Sequence, residues 1–334
     1  MGYLQTTGLI LSNSKDMKPP YEITSRILKQ VASISVKIGE VNAAHLNRPP
    51  TELRKKNRIK TIQSSLEIEG NTLTVDQVTD LLNNKKVVAP AKDILEVKNA
   101  ISAYNQLGKF KSDELKSLCK AHAVLMKGLI DNPGKLRNTA VAIVKGTHTT
   151  HIAPPGDRVF SLMTNLFNYL KNEDELILIK SCVFHYELEF IHPFLDGNGR
   201  IGRLWQTLIL KAHSPIFEFL PIETLIKKRQ QEYYSVLGQS DKEGKSTVFI
   251  EFMLGIIDEA LENLLKIQNV NLTAEDRILI FREQIGEQEF SRQDYLRAFK
   301  EISPATASRD LKLAVEEELV KKSGDKRTTK YRCR

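Results

Sequence analysis

The sequence predicts a mainly α-helical protein: a helical bundle with a short β-hairpin flap, followed by a C-terminal winged helix-turn-helix. Three observations predict it. Apolar residues recur at helical spacing through most of the first 270 residues, only one stretch there has strand character, and the last 60-odd residues switch to short helical segments followed by a two-stranded basic hairpin. The chain has 334 residues, 41 % of them apolar, which at roughly 150 residues per domain suggests two or three domains with a real core. Disorder and disulfide-held miniprotein scaffolds are excluded. The tightest apolar cluster, Leu176-Ile177-Leu178-Ile179, falls far short of the roughly 18 residues a membrane span needs.

The elements follow in order. From about Tyr21 to Leu46, Ile23, Ile27, Val31, Ile34 and Ile38 mark one helix face, and Asn47-Arg48-Pro49-Pro50 stops it. Thr51 is placed to cap a second helix reaching about Glu69, with Glu52 in the first turn and Gly70 after the end. Further helices are expected over 75–84, 91–107, 111–131, 158–171, 174–191, 200–213, 222–238 and 246–267. Thr139–Gly146, a polar turn and Ile152-Ala153-Pro154-Pro155 read as the hairpin. After Asn269-Asn271, helices are expected over Leu272–Gly286, Ser291–Glu301 and Ser303 to about Glu318, with strands Leu319–Lys322 and Lys330–Cys333 flanking Ser323-Gly324-Asp325. The expected organisation is an N-terminal helical arm over 1–108, a core domain over 109–268 and the winged helix over 269–334.

Charge is unevenly placed. Residues 1–60 hold eleven Lys/Arg against four acids and residues 291–334 twelve against seven, so the net +8 belongs to the two ends. The middle is slightly acidic. Cys119, Cys182 and Cys333 are far apart and form no metal-type pair, so packing residues in a reducing cytoplasm are expected. The N-terminus lacks secretory features, and its Gly2-x-x-x-Thr6 pattern is too short to establish a myristoylation site.

The densest chemical signal is His192-Pro193-Phe194-Leu195-Asp196-Gly197-Asn198-Gly199-Arg200-Ile201-Gly202-Arg203, a loop between two apolar-patterned helices. The Gly-Asn-Gly turn would expose backbone N–H groups at the start of the second helix, where orphan donors and the dipole attract an anion. Arg200 and Arg203 are spaced to hold further phosphate oxygens. Asp196 offers a hard oxygen ligand for Mg²⁺ bridging those phosphates, and His192 is the side chain there whose ordinary pKa suits a general base. The same residues spell G-x-G-x-x-G at Gly197, Gly199 and Gly202. A dinucleotide fold needs a strand before that fingerprint, and the preceding apolar residues have a helical period.

This segment resembles the signature loop of the Fic (filamentation-induced-by-cAMP) family, HPFx[D/E]GNGRxxR, without departure, and the resemblance extends over roughly residues 20 to 265. It implies that His192 deprotonates a protein hydroxyl, that Asp196 binds Mg²⁺, and that Gly197, Asn198, Gly199, Arg200 and Arg203 hold the phosphates of ATP. Phe194 would anchor the loop. The implied reaction is transfer of AMP from ATP to a Ser, Thr or Tyr of a target protein. Ile143, Val144, Lys145 and Gly146 resemble the family's flap, which docks the target as an added strand. Tyr233 and Tyr234 resemble positions near the nucleotide base.

Glu69 lies on the helical face of Ile62 and Leu66, in a last turn where the dipole disfavours an acid. A plain structural ion pair would also satisfy it. Ser65-Leu66-Glu67-Ile68-Glu69-Gly70 is similar to the [S/T]xxxE[G/N] inhibitory motif of Fic proteins, which implies that Glu69 pairs with Arg203 and keeps ATP from a productive pose. His148-Thr149-Thr150-His151 reads as a polar turn rather than a metal site, His185 as a core or interhelical histidine, and Arg54–Lys60 as a solvated helix face. In the tail, Arg309 and Lys312 suit a recognition helix and Lys326, Arg327 and Lys330 a wing, so DNA or a protein is its expected partner. The resemblance also allows a homodimer, which no sequence feature fixes. A DNA-binding regulator with a nucleotide-sensing core, transfer of another phosphate-containing group, and removal of AMP are the competing readings.

Overall fold

The structure, a computed structural model, describes residues 18–43, 49, 51–145, 148–172, 174–266, 273–286, 288–299, 302–325 and 329–333, with only the backbone described for 142–152 and 283–284. The stretches 1–17, 44–48 and 326–328, together with Pro50 and Gly146, fall outside it, and with them the Gly2 pattern, most of the first helix stop, and Lys326 and Arg327.

Two helices form the centre, α7 (Ile177–Ile191) and α8 (Asn198–His213), buried almost all round as expected of interior helices. Around them pack α5 (Leu115–Leu125), α6 (Val159–Asn172) and α11 (Thr247–Lys266). Along α11 lies α1 (Ser25–Ala43), whose Ile27 and Ile34 are fully buried and whose Lys37 pairs with Asp258 at 2.8 Å. The next helices are α2 (Thr51–Ile68), α3 (Val75–Leu82) and α4 (Ala91–Asn105); α2 rests on α9 (Ile222–Lys228), which α10 (Gln230–Glu243) follows. Strands β1 (Ala142–Lys145) and β2 (His148–Ile152) form an antiparallel hairpin. One hydrophobic core runs from Ile27 to Leu264, so arm and central bundle share their packing. Among the described residues no helix is long and apolar enough to cross a membrane.

Four local expectations change. His148-Thr149-Thr150-His151, expected as a polar turn, makes up most of strand β2, because its backbone pairs with β1. The helix expected over 222–238 is two helices, broken at Arg229 (φ −113°, ψ 32°), which donates to Glu232 and lies over the Phe252 ring. The helix expected over 111–131 ends at Leu125, with Gly128 in the left-handed region (φ +73°) inside the turns that follow. Thr51 does not cap α2 with its hydroxyl: both its N–H and Oγ1 donate to Asp276 Oδ1, at 2.7 and 2.9 Å.

The tail comprises α12 (Ala274–Ile285), β3 (Glu289–Phe290), α13 (Arg292–Ala298), α14 (Pro304–Glu316), β4 (Val320–Ser323) and β5 (Lys330–Cys333), with an antiparallel sheet ordered β3-β5-β4. The two-residue β3 was not foreseen, being too short to show a period. Thr273, Ser291 and Ser303 cap the three helices. A second core, built on Phe281, Phe290, Tyr295 and Leu311, shares no residue with the first. Within it Arg277 grips Asp310 through two bonds of 2.6 and 2.9 Å, with Tyr295 as a third donor. Removing one partner leaves a buried charge unmatched, so Asp310→Ala should destabilise the tail by about 3–5 kcal/mol. Hydrogen exchange checks this: amides of α12 and α14 should lose protection while those of α7 keep it, and unchanged α12 protection would refute it.

Candidate active site

The site is built where α7 stops and α8 starts. His192 ends α7 in the left-handed conformation (φ 48°, ψ 62°), its N–H donating to Leu188 O. Gly197 precedes α8 at φ +84°, and a Cβ there would press on Met126 Sδ and His122 Nε2, so glycine is required twice over. Between them Phe194 is fully buried, stacked on the His122 ring at 3.7 Å. Asn198 closes the loop by accepting from Phe194 N–H (2.9 Å) and donating to Phe194 O (2.8 Å). Its amide is thus engaged in shaping the turn, and the phosphate contact expected of Asn198 would have to come from its backbone N–H.

His122, from α5, fixes the loop's far side. Its Nδ1 accepts from Gly134 N–H at 2.8 Å, which places the proton on Nε2, donating to Asp196 O at 2.8 Å. Burial, partly opposed by that bond, pulls its pKa down to about 4, so the ring is neutral at pH 7.

The charged groups converge on the start of α8. Asp196, half-exposed, accepts from Gly197 N–H (2.6 Å) and Arg200 Nη2 (3.0 Å). Arg200 is buried, its Nη1 held by Glu96 of α4 at 2.9 Å, while its Nε has no partner among the described residues. An orphaned buried donor beside a helix N-terminus fits an absent anion such as phosphate. Arg203, 1 % exposed, donates to Ser65 Oγ (3.1 Å), Ser65 O (2.9 Å) and Glu69 Oε1 (2.7 Å). Burial opposes its charge, but Glu69, together with Tyr233 and Glu189, more than offsets that and raises its pKa.

Glu69 follows the end of α2. The carbonyl of Ile68 accepts from Gln230 and Tyr234, which seats that end against α10. Its carboxylate lies over Gly199, so closely that a Cβ on Gly199 would overlap Oε1. The carboxylate therefore occupies the mouth of α8, where the sequence placed a phosphate. Gly202 has a different reason: a Cβ there would meet Glu189 and His185 across the α7–α8 contact. Helix packing explains the third glycine, and the element before the loop is helix α7, which removes the dinucleotide-fold reading.

Tyr233 and Tyr234 differ in setting. Tyr233 is buried at 1 % exposure against His185 and Phe249, its hydroxyl bonded to His185 Nε2 at 3.2 Å. Tyr234 donates to Ile68 O at the end of α2. His185 is interhelical, with Gln206 on its Nδ1 at 2.7 Å. Arg58 pairs with Glu218 and lies over Tyr104, rather than being a solvated residue. In the hairpin Ile143 pairs with His151, Val144 with Thr149 and Lys145 with His148, and β2 runs beside α10; the side chains of His148 and His151 lie outside the description. Glu96, His122 and Arg137, all in contact with the loop, were not foreseen, because nothing near them in sequence marks them.

The sequence profile of the Fic/DOC family matches residues 112–210, the 192–203 loop included. A curated relative, "Protein adenylyltransferase Fic" of Culex quinquefasciatus, is 30 % identical over 222 residues, covering 62 % of this chain and 42 % of its own length. A namesake from Drosophila grimshawi is 27 % identical over 70 % of this chain and 48 % of its own. The chain thus spans under half the length of these relatives. A crystal structure of a Fic family protein from Desulfovibrio desulfuricans G20 superposes with a TM-score of 0.74 and 40 % identity, over 95 % of this chain and 98 % of that one. A Fic domain containing signaling protein from Bacteroides thetaiotaomicron, at 18 % identity and a TM-score of 0.57, shares the fold over 73 % of this chain and 97 % of its own. With a relative so similar from end to end, and the family's loop folded between α7 and α8, the chain belongs to the Fic family.

Proposed function

We propose that this chain is a protein adenylyltransferase, moving AMP from ATP onto a Ser, Thr or Tyr hydroxyl of a target protein, and that Glu69 restrains it. The observation that carries the reading is Arg203, a buried cation one turn inside α8 whose acidic partner lies over Gly199 at the helix mouth. Relatives bearing the name protein adenylyltransferase support it.

In this mechanism the first-turn N–H groups of α8, Arg200 and Arg203 hold the ATP phosphates. Asp196 fits Mg²⁺, because one half-exposed carboxylate beside phosphates suits an ion that keeps most of its waters. Bound there, the ion would neutralise phosphate charge. A target segment lies along the hairpin, adding a strand at its edge near Ile143–Lys145. His192 takes the proton of the target hydroxyl as its oxygen attacks the α-phosphorus, and the bond to pyrophosphate breaks. With Glu69 over Gly199, the phosphates meet a carboxylate instead of a free Arg203.

The test is label position. The Glu69→Gly protein, incubated with Mg²⁺ and a lysate, should transfer label from α-labelled ATP and none from γ-labelled ATP. Transfer of γ label would mean phosphorylation, and loss of α label from a modified target would mean AMP removal. Neither, with DNA bound, would leave a regulator using the core as a nucleotide sensor.

A second reading concerns the tail, which we propose is a winged helix contacting DNA. The exposure of Arg309 and Lys312 on α14 and of Lys321, Lys322, Lys330 and Arg332 on the strands favours it. Oligonucleotide affinity should fall steeply as salt rises. No binding even at low salt would leave a protein as the tail's partner.

A further inference from the structure

Arg137 is 4 % exposed and donates only to main-chain carbonyls in the bonds that define its setting. Nε reaches His192 O (2.6 Å), Nη1 Thr139 O (2.6 Å), and Nη2 both Pro154 O (2.8 Å) and Ile191 O (2.9 Å). Its backbone N–H donates to Pro193 O at 2.9 Å. A buried cation normally demands an opposite charge. Here the end of α7 supplies it, since the carbonyls of Ile191 and His192 lack helical donors and carry the negative end of the dipole. The other two acceptors flank the hairpin, Thr139 ahead of β1 and Pro154 just past β2. Gly156 packs so closely on Asn138 and Thr139 that a Cβ would overlap them, which pins the hairpin's feet together.

We infer that Arg137 is a positioning residue that fixes the base at His192 relative to the hairpin along which the target lies. The inference rests on the adenylyltransferase reading. Lysine cannot replace it, because one ammonium does not span four divergent carbonyls as a planar fork does. In the Glu69→Gly background, Arg137→Lys and Arg137→Gln should lower transfer of α label at saturating ATP roughly a hundredfold, the scale of a misplaced reacting group. ATP affinity by calorimetry should stay within about twofold, because the phosphate contacts come from α8. Parallel loss of affinity and transfer, as general loosening would give, overturns the inference, and so does unchanged transfer. If the Glu69→Gly parent transfers nothing, the enzymatic reading itself fails and takes this inference with it.

A different observation carries a second inference. Asp276, 3 % exposed, accepts from Thr51 N–H and Oγ1 with one oxygen and completes the Thr273 cap of α12 with the other, at 2.7 Å from Thr273 Oγ1. One carboxylate thus closes the N-termini of two helices, one of which, α2, ends at Glu69. A helix of 18 residues is a rod of roughly 27 Å, so a tilt at Thr51 is felt at the other end. The two hydrophobic cores share no residue, and this polar joint links the tail to α2. We infer that the tail sets the brake: while Asp276 holds Thr51, Glu69 stays on Arg203, and a partner that breaks the joint unseats it. This too rests on the adenylyltransferase reading. In the full chain, Thr51→Val and Asp276→Asn should each raise transfer about threefold to tenfold, the worth of a hydrogen bond or two, and raise nothing once Glu69 is Gly. No rise in either variant overturns the inference, as does a rise that persists without Glu69. Equal activity of Glu69→Gly and wild type would instead remove the brake itself.

Discussion

His192→Ala in the Glu69→Gly background is expected to lower transfer of the ATP α-phosphate roughly a thousandfold, within the range a positioned general base contributes. The loop should survive the change, because it is held by groups other than the imidazole: Asn198 on Phe194, His122 on Asp196, and Arg137 on the His192 carbonyl. One complication is the backbone. At φ 48° alanine is strained by about 1 kcal/mol, whereas asparagine tolerates the left-handed region. His192→Asn therefore separates conformation from chemistry. If both variants lose the same activity and keep ATP affinity, the imidazole does the proton transfer. Recovery in the asparagine variant would mean that the turn, and not the base, had been damaged.

Glu69→Gly should move activity the other way, raising transfer by about ten- to a hundredfold. The estimate follows from the contact it removes: a charge-assisted bond of 2.7 Å to a buried guanidinium is worth roughly 1.5–3 kcal/mol, and each 1.4 kcal/mol is about tenfold. Arg203 keeps Ser65 as a partner, so it remains in place for a phosphate oxygen. Breaking the pair should cost stability, but Glu69 is 32 % exposed, so about 1–2 kcal/mol is expected rather than the full penalty for a buried pair. Glu69→Gln keeps the side chain over Gly199 without its charge. It should lie between the two, and initial rates with α-labelled ATP at several ATP concentrations measure all three. A glutamine variant as slow as wild type would assign the brake to bulk instead of charge.

Much of the site was legible because its chemistry is local. The turn from His192 to Arg203 joins consecutive helices, so glycines, histidine and arginines stand together in the chain as they do in space. Glu69 was legible for a second local reason, an acid at a helix end where the dipole opposes it. The supporting groups were not. Arg137, His122 and Glu96 reach the loop from other helices and turns, and each looks ordinary among its neighbours: an arginine after a Pro-Gly turn, a histidine and a glutamate on half-apolar helices. The burial of Tyr233 was not legible either, because consecutive positions on a helix diverge by about a hundred degrees and the sequence does not say which of the pair is packed inside. Thr51 misled, since a threonine at a helix start normally serves its own helix, and here the acceptor comes from the tail. The break at Arg229 carries neither glycine nor proline, so no periodicity rule could place it.

The two hydrophobic clusters, separate in every residue, also decide what a melting experiment reports. Each should melt as its own cooperative unit, so heat absorption should divide into two transitions, and a single midpoint would describe neither. ATP binds only the larger unit in this scheme and should shift only that transition, by an amount set by ligand concentration over Kd. The chain's one tryptophan, Trp205, is fully buried in the larger cluster. Intrinsic tryptophan emission will therefore follow the bundle while the tail unfolds unseen.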